Sequence, residues 1–84
     1  MTKKILRLPD VKAQSGYSRS TIYLRISQRL WTKPINLGAR CVGWPESEVI
    51  TLNSARIAGK SNAEIIALVT QLEAARETEF TGVQ

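Results

Sequence analysis

A single glycine constrains this chain more than any other residue, because it separates two short helical patterns. Residues 8–15, LPDVKAQS, carry a proline and an acid, Pro9 and Asp10, that suit the first turn of a helix, and Gly16 follows as a helix stop. Ser18 is then a candidate N-cap for a second helix, whose apolar stripe includes Ile22 and Ile26. Two short helices joined by about three residues form a helix-turn-helix pattern.

After the second helix, the spacing of apolar residues changes to the alternation typical of a strand and then returns to that of a helix. Apolar and polar residues alternate over residues 35–44 with a turn at Gly38, which predicts a small β-hairpin. Pro45, followed by two acids, predicts the start of a third helix. Its expected inner face consists of Val49, Leu52, Arg56 and Ile57. The capping-box sequence SNAE at residues 61–64 predicts a last helix to about Arg76 and a frayed tail beyond it.

The length and the single cysteine narrow the class of protein. A chain of 84 residues has room for one small domain. Cys41 cannot form an internal disulfide, which fits a reducing cytoplasm. The start does not resemble a signal peptide, and no apolar run approaches the ~20 residues of a membrane span. We therefore expect a cytoplasmic protein with no membrane partner.

Charge is unevenly distributed along the chain. Residues 1–44 carry nine Lys or Arg and one acid, a net charge of +8, whereas residues 45–84 carry a net charge of −3. A basic half joined to an acidic half indicates a polyanionic partner on one side of the molecule.

The residue types that usually carry catalysis are scarce. The chain has no histidine, the usual general acid or base near neutral pH, and one cysteine without histidine leaves no credible zinc site. Glu46 and Glu48 are two positions apart on a predicted helix, so they point in different directions and form no carboxylate pair. We expect no enzyme, no cofactor and no small-molecule substrate.

The start of the second helix suits contact with nucleic acid. A helix in the major groove contacts bases with its first turns, while its hydroxyls and amides hold phosphates. The candidate DNA-binding residues there are Ser18, Arg19, Ser20, Thr21 and Tyr23. Arg19 suits a bidentate contact to guanine, and Ser20 suits a hydrogen bond to a base or phosphate. We expect Ser18, Arg19, Ser20 and Tyr23 on the side away from Ile22 and Ile26. The alternatives are that Ser18 is only a cap, Arg19 a solvated charge and Tyr23 a core residue.

The predicted hairpin adds a second cationic surface. Lys33 and Arg40 flank it, and Arg40 at its tip suits contact with an adjacent backbone or minor groove, unless it is a solvated turn residue. Trp31 and Trp44 adjoin the apolar pattern, so we expect them in the core rather than stacked on bases.

Five motifs occur in one order along the chain. They are RLPDV at residues 7–11, SGYSRSTIY at 15–23, KPINLGARCVGW at 33–44, SEV at 47–49 and ARIAG at 55–59. Together they resemble the AlpA family of phage and prophage transcriptional regulators, small relatives of MerR-type winged-helix and excisionase domains. The resemblance implies a mainly α winged helix-turn-helix with a small β-hairpin, in which the second helix contacts DNA and the hairpin is the wing. It also implies a bacterial, nucleoid-associated protein.

The chain departs from the usual family pattern in the second helix. Arg29 stands where a glycine usually ends that helix. Leu24 and Arg25 invert the usual order of an arginine followed by an apolar residue, which predicts that Arg25 lies near the buried side and Leu24 is more exposed.

The last helix has two interpretations. Its apolar residues at helical spacing are Ile65, Leu68, Val69 and Leu72. They either pack back on the small core or pair with a second copy, since a module of this size rarely binds DNA tightly alone. We therefore divide the chain into a winged helix-turn-helix domain, residues 1–60, and a C-terminal helix and tail, residues 61–84, the candidate dimerisation element.

These observations favour a sequence-specific transcriptional regulator that binds double-stranded DNA. The family resemblance implies control of integrase or excision genes in a prophage or other mobile genetic element. The alternatives are an excisionase-like architectural factor that bends DNA and a protein-interaction module.

Overall fold

The computed structural model describes residues 4–81, and the side chains of residues 4–77. This part of the chain is mostly helical, with a small antiparallel sheet. The elements in chain order are β1 (Ile5–Leu6), α1 (Leu8–Ser15), α2 (Arg19–Ser27), β2 (Ile35–Gly38), β3 (Cys41–Pro45), α3 (Glu46–Ile57) and α4 (Asn62–Thr81). None of the described helices has the length and apolar character that crossing a membrane requires.

Local signals set the end of α1 and the start of α2 as predicted. Gly16 has a left-handed backbone with φ of 77°, and its N–H donates to the carbonyl of Lys12, which ends α1. Ser18 caps α2, because its hydroxyl accepts a hydrogen bond from the backbone N–H of Thr21 at 3.2 Å. Helix α2 ends at Ser27, and Arg29 follows in a left-handed conformation with φ of 63°.

The predicted hairpin is confirmed, and a strand that the sequence did not reveal joins it. Strand β3 lies between β1 and β2, and Leu6 of β1 pairs with Trp44. With two residues, β1 is too short to show an alternating pattern. Gly43 allows this packing, because a Cβ there would lie 2.7 Å from Ile5 Cγ2 and 2.9 Å from the Leu6 carbonyl oxygen.

Helix α3 begins after Pro45 as predicted. One residue expected on its inner face, Ile57, lies on the outer side instead. Val49 and Leu52 are fully buried and Arg56 is half-buried, whereas Ile57 is 87% exposed. The prediction for Ile57 was wrong because, at about 100° per residue, position 57 falls on the outer side of the helix with Ile50.

Helix α4 begins with the predicted capping box. The Ser61 N–H donates to the Glu64 carboxylate at 3.0 Å, and the Glu64 N–H donates to the Ser61 hydroxyl at 3.3 Å. Hydrogen bonds from the Ser61 backbone and side chain to the carboxylate, with the nearby charge of Lys60, lower the pKa of Glu64 below its ordinary value of 4.5. The helix continues to Thr81, so the expected end near Arg76 was wrong; the rest of the expected tail, residues 82–84, lies outside the described residues.

Trp44 is the largest fully buried residue, and every helix contributes to the core that contains it. The buried apolar residues are Leu6, Val11, Ile22, Leu30, Trp31, Trp44, Val49, Leu52, Ile65 and Val69. The Trp44 Nε1–H donates to the carbonyl of buried Thr32 at 2.9 Å, and Trp31 packs edge-on against Tyr17. Both tryptophans are thus core residues, as predicted. Since Ile65 and Val69 belong to the same core, α4 packs on the preceding residues of its own chain.

Candidate nucleic-acid interface

The first turn of α2 is open to solvent. Ser18, Arg19 and Ser20 are all exposed, so the turn is neither buried in the core nor covered by the hairpin. The Ser18 hydroxyl donates to Thr21 Oγ1 at 2.9 Å and lies 3.2 Å from Ser20 Oγ. The three hydroxyls therefore form one network at the helix start, in which Ser18 acts as the cap.

Arg19 is held on an aromatic support. Its guanidinium carbon lies 5.3 Å from the centre of the Tyr23 ring, one turn further along α2. The Tyr23 ring in turn meets buried Trp44 edge-on at 6.4 Å between ring centres. A cation over an aromatic ring at an exposed site contributes about 0.5–1 kcal/mol, which favours one position of the guanidinium at the helix start.

Tyr23 does not lie where we expected it. The prediction placed it on the side of α2 away from the core, but its ring leans against Trp44 and is only 36% exposed. At about 100° per residue it falls on the flank of the helix rather than opposite Ile22 and Ile26. Tyr23 thus supports Arg19 from the core side and keeps part of its ring accessible.

The outward face of α2 consists of other residues. Ser20, Leu24 and Ser27 are exposed and follow one another at helical spacing, with Leu24 56% exposed. Arg25 is half-buried, and its guanidinium carbon lies 5.5 Å from the centre of the Tyr17 ring. The predicted consequence of the inverted order is therefore confirmed. Sequence reasoning overlooked Ser27, although the helical period from Ile22 and Ile26 places it on this face.

The loop between α2 and β2 is held by side chains of α4. Glu73 accepts hydrogen bonds from the backbone N–H of Lys33 at 2.9 Å and from the Arg29 guanidinium at 3.3 Å. Thr70 Oγ1 lies 3.0 Å from Arg29 Nη2, and Arg76 donates to the Lys33 carbonyl at 2.8 Å. We call Thr70, Glu73 and Arg76 the α4 clamp. Sequence reasoning missed it because its partners lie about 40 positions away along the chain.

A buried ion pair anchors the clamp to α3. Arg76 donates to both carboxylate oxygens of Glu48, at 2.7 and 2.8 Å, and Glu48 is buried. The bidentate geometry orients the Arg76 guanidinium so that it also reaches Lys33. The connection between α2 and the hairpin is therefore tied to two helices at once.

The candidate cations of the hairpin are exposed. Arg40 lies at the turn with φ of 55°, and the Lys33 side chain is exposed even though its backbone is clamped. Among residues 4–77, neither of them nor Arg19 has a carboxylate partner. Arg7 adds a further cation to this region, because its Nε–H donates to the Val42 carbonyl at 2.9 Å. The described residues also contain no cluster of acids and cysteine that suits a metal ion.

Comparison with known proteins places the chain in a family. The family model described as prophage CP4-57 regulatory protein (AlpA) matches residues 4–54, from the residue before β1 to most of α3. The chain belongs to the AlpA family. AlpA proteins are phage regulatory proteins, so the resemblance seen in the sequence motifs is confirmed.

A relative from a phage agrees with this assignment. The chain is 40% identical over 58 residues to an uncharacterized protein, ORF88, of Enterobacteria phage P4. The match covers 69% of this chain and 66% of the relative, so it spans just under two thirds of the relative's length. No solved structure matches the chain. The α4 clamp lies beyond the part of this AlpA-family chain that the family model covers.

Proposed function

We propose that this AlpA-family chain is a sequence-specific regulator of transcription that binds double-stranded DNA as a winged helix-turn-helix. In this proposal α1 and α2 form the helix-turn-helix, α2 enters the major groove, and the β2–β3 hairpin contacts the adjacent backbone as a wing. The regulated genes are integrase or excision genes of a prophage or related mobile element. The protein then acts at the bacterial nucleoid.

The observation that carries the proposal is the exposed, supported Arg19 at the start of α2. A planar guanidinium makes two parallel hydrogen bonds to the O6 and N7 atoms of guanine, and this contact discriminates between bases only if the guanidinium is held in position. The ring of Tyr23, itself resting on Trp44, provides that support. The hydroxyls of Ser20 and Thr21 lie beside it and suit phosphate or base contacts.

The distribution of charge also favours the start of α2 and the hairpin as the surface that contacts DNA. Arg19, Lys33 and Arg40 are exposed and have no acidic partner within residues 4–77, whereas Arg29 is engaged by the α4 clamp. Cations that remain unpaired are available to replace the counterions of the phosphate backbone. We assign the wing contacts to Lys33 and Arg40, and the groove contacts to the start of α2.

Selection of bound sequences from a random pool of double-stranded DNA tests the proposal. We expect the wild type to enrich one consensus, and Arg19→Ala to lose the preference at one base pair, at a cost of about 1–3 kcal/mol on the wild-type site. Lys60→Ala is the control, because Lys60 is an exposed cation of the turn between α3 and α4 that pairs with Glu64 of α4. An unchanged consensus with Arg19→Ala would contradict the assignment of Arg19.

The selected sequences also test how many copies of the protein bind one site and whether the protein bends DNA. A palindromic consensus would support a homodimer on DNA, and a single half-site would support a monomer. Strong bending of the selected site in a mobility-shift assay with permuted fragments, without an effect on a promoter, would favour an excisionase-like architectural role.

A further inference from the structure

The outward face of α2 carries one large side chain, and this side chain is apolar. Leu24 is 56% exposed and lies between Ser20 and Ser27, one turn to either side. The nearest arginines of the helix lie elsewhere, since Arg19 rests on Tyr23 and Arg25 on Tyr17. The most projecting part of this face is therefore uncharged.

We propose that Leu24 contacts the 5-methyl group of a thymine in the major groove and thereby specifies a T·A base pair. The inference rests on the proposed function, in which α2 enters the major groove. Leu24 is then a further specificity-determining residue, in addition to the polar candidates of α2 and the hairpin.

The neighbours of Leu24 are suited to close approach by a base edge. The Ser27 hydroxyl donates to the Leu24 carbonyl at 2.6 Å, so its hydrogen is already used within the helix. Ser20 Oγ lies 3.2 Å from Ser18 Oγ and belongs to the network at the helix start. Both side chains are short, so neither holds a partner surface away from Leu24.

The chemistry of the groove identifies the contact. Base edges in the major groove present hydrogen-bond donors and acceptors, and among the unmodified bases thymine alone adds an apolar group, its 5-methyl. A leucine on the groove-facing side gains no hydrogen bond from any base, but it gains burial of apolar surface against this methyl. Burial of a single methyl group in the complex strengthens the equilibrium constant for DNA binding roughly fourfold.

A single exposed leucine is common on protein surfaces and by itself needs no explanation. Its position favours DNA over a protein partner, because it lies on the same helix as Arg19 and one turn from Ser20. A protein that docks on Leu24 would also have to cover the helix start, whose exposed Arg19 favours an anion.

Removal of the methyl group alone tests the contact. Each thymine of the selected site is replaced in turn by deoxyuridine, which lacks only the 5-methyl, and the Kd is measured by fluorescence anisotropy at one salt concentration. We expect the wild type to lose affinity roughly fourfold at one thymine, and Leu24→Ala to show no loss at that position. Leu24→Met, which keeps an apolar side chain of similar reach, should retain the sensitivity.

The controls separate this inference from the proposed function. Leu24 is exposed, so thermal unfolding should show that Leu24→Ala remains folded, and Arg19→Ala should keep the sensitivity to deoxyuridine. A selected site in which every thymine methyl is dispensable, or one whose deoxyuridine profile is identical for wild type and Leu24→Ala, overturns the inference alone. Failure of the wild type to select any DNA sequence overturns the proposed function and this inference with it.

Discussion

At the scale of single residues, Arg29 combines a strained backbone conformation with a side-chain contact to a distant part of the chain. Its φ of 63° is a conformation that glycine adopts without strain, and the family pattern has a glycine at this place. The arginine side chain, however, reaches Glu73 and Thr70 of the α4 clamp. The left-handed backbone at Arg29 therefore coexists with a link between the end of α2 and α4.

This combination predicts different outcomes for two substitutions of Arg29. Arg29→Ala keeps the backbone strain and loses the link, whereas Arg29→Gly loses the link but relieves the strain. We expect Arg29→Ala to be less stable than Arg29→Gly by about 1 kcal/mol in chemical denaturation. Equal stability of the two variants would show that the left-handed backbone at this position carries no cost.

At the scale of elements, α4 is a structural part of the domain. Its neighbouring isoleucines provide a matched comparison, because Ile65 is fully buried whereas Ile66 is 38% exposed. Ile65→Ala leaves a cavity in the core and should destabilise the protein by about 2–5 kcal/mol. Ile66→Ala should change the free energy of unfolding far less, as measured by the same denaturation experiment.

The oligomeric state of these variants tests whether α4 pairs with a second copy of the chain, the second interpretation of this helix. Pairing of two copies through α4 stays a prediction, and the exposed side that includes Ile66 is the part of the helix available for it. A shift from dimer to monomer for Ile66→Ala in analytical ultracentrifugation would favour pairing. A monomeric wild type would contradict it.

The capping box of α4 predicts a dependence of stability on pH. Hydrogen bonds from Ser61 and the charge of Lys60 lower the pKa of Glu64 in the folded state below the ordinary 4.5. The folded state therefore gains stability from the carboxylate above pH 4.5 and loses it as the pH falls through 4.5 toward the folded pKa. Wild type should be more stable than Glu64→Gln at neutral pH, and this difference should shrink in acid.

Thermal unfolding over a pH series measures this effect. Glu77→Gln is a suitable control, because Glu77 is an exposed carboxyl of the same helix and lies outside the capping box. A difference between wild type and Glu64→Gln that stays constant down to acid pH would contradict the prediction.

At the scale of the whole molecule, the described structure keeps unpaired cations on the start of α2 and on the hairpin. The acids of the second half are partly used inside the molecule, since Glu48 pairs with Arg76 and Glu73 binds Arg29 and the Lys33 backbone. The clamp therefore fixes the connection between helix and hairpin without neutralising the Lys33 side chain. This arrangement suits a rigid pair of contacts to a DNA backbone.

The electrostatic contribution of Lys33 is testable by salt titration. Lys33→Ala should weaken binding to all DNA sequences alike and reduce the slope of log affinity against log salt by about 1. Lys60→Ala removes the same charge from a residue that is not assigned to the interface and should leave the slope unchanged. A change in base preference with Lys33→Ala would place that side chain at a base edge instead of a phosphate.

The starts and ends of most elements were predictable, because their causes are local. Gly16 ends α1, Ser18 caps α2, and Ser61 with Glu64 begins α4 through contacts between residues at most four positions apart. The exposure of Ser18 and Arg19 follows from their place at the very start of α2, and that of Ser20 from its position opposite Ile22 on the helix. For these caps, which involve only near neighbours, sequence and structure agree.

The sequence by itself determined the order of the helices and the hairpin, the capping residues and the segregation of charge, since each depends on composition or near neighbours. The tertiary structure decided what β1 pairs with, that Tyr23 packs against Trp44, and the contact between Arg29 and Glu73, 44 positions apart. Such contacts depend on how helices and strands pack in space. Side-chain spacing along one element specifies its apolar face, but the neighbour that covers this face comes from the fold.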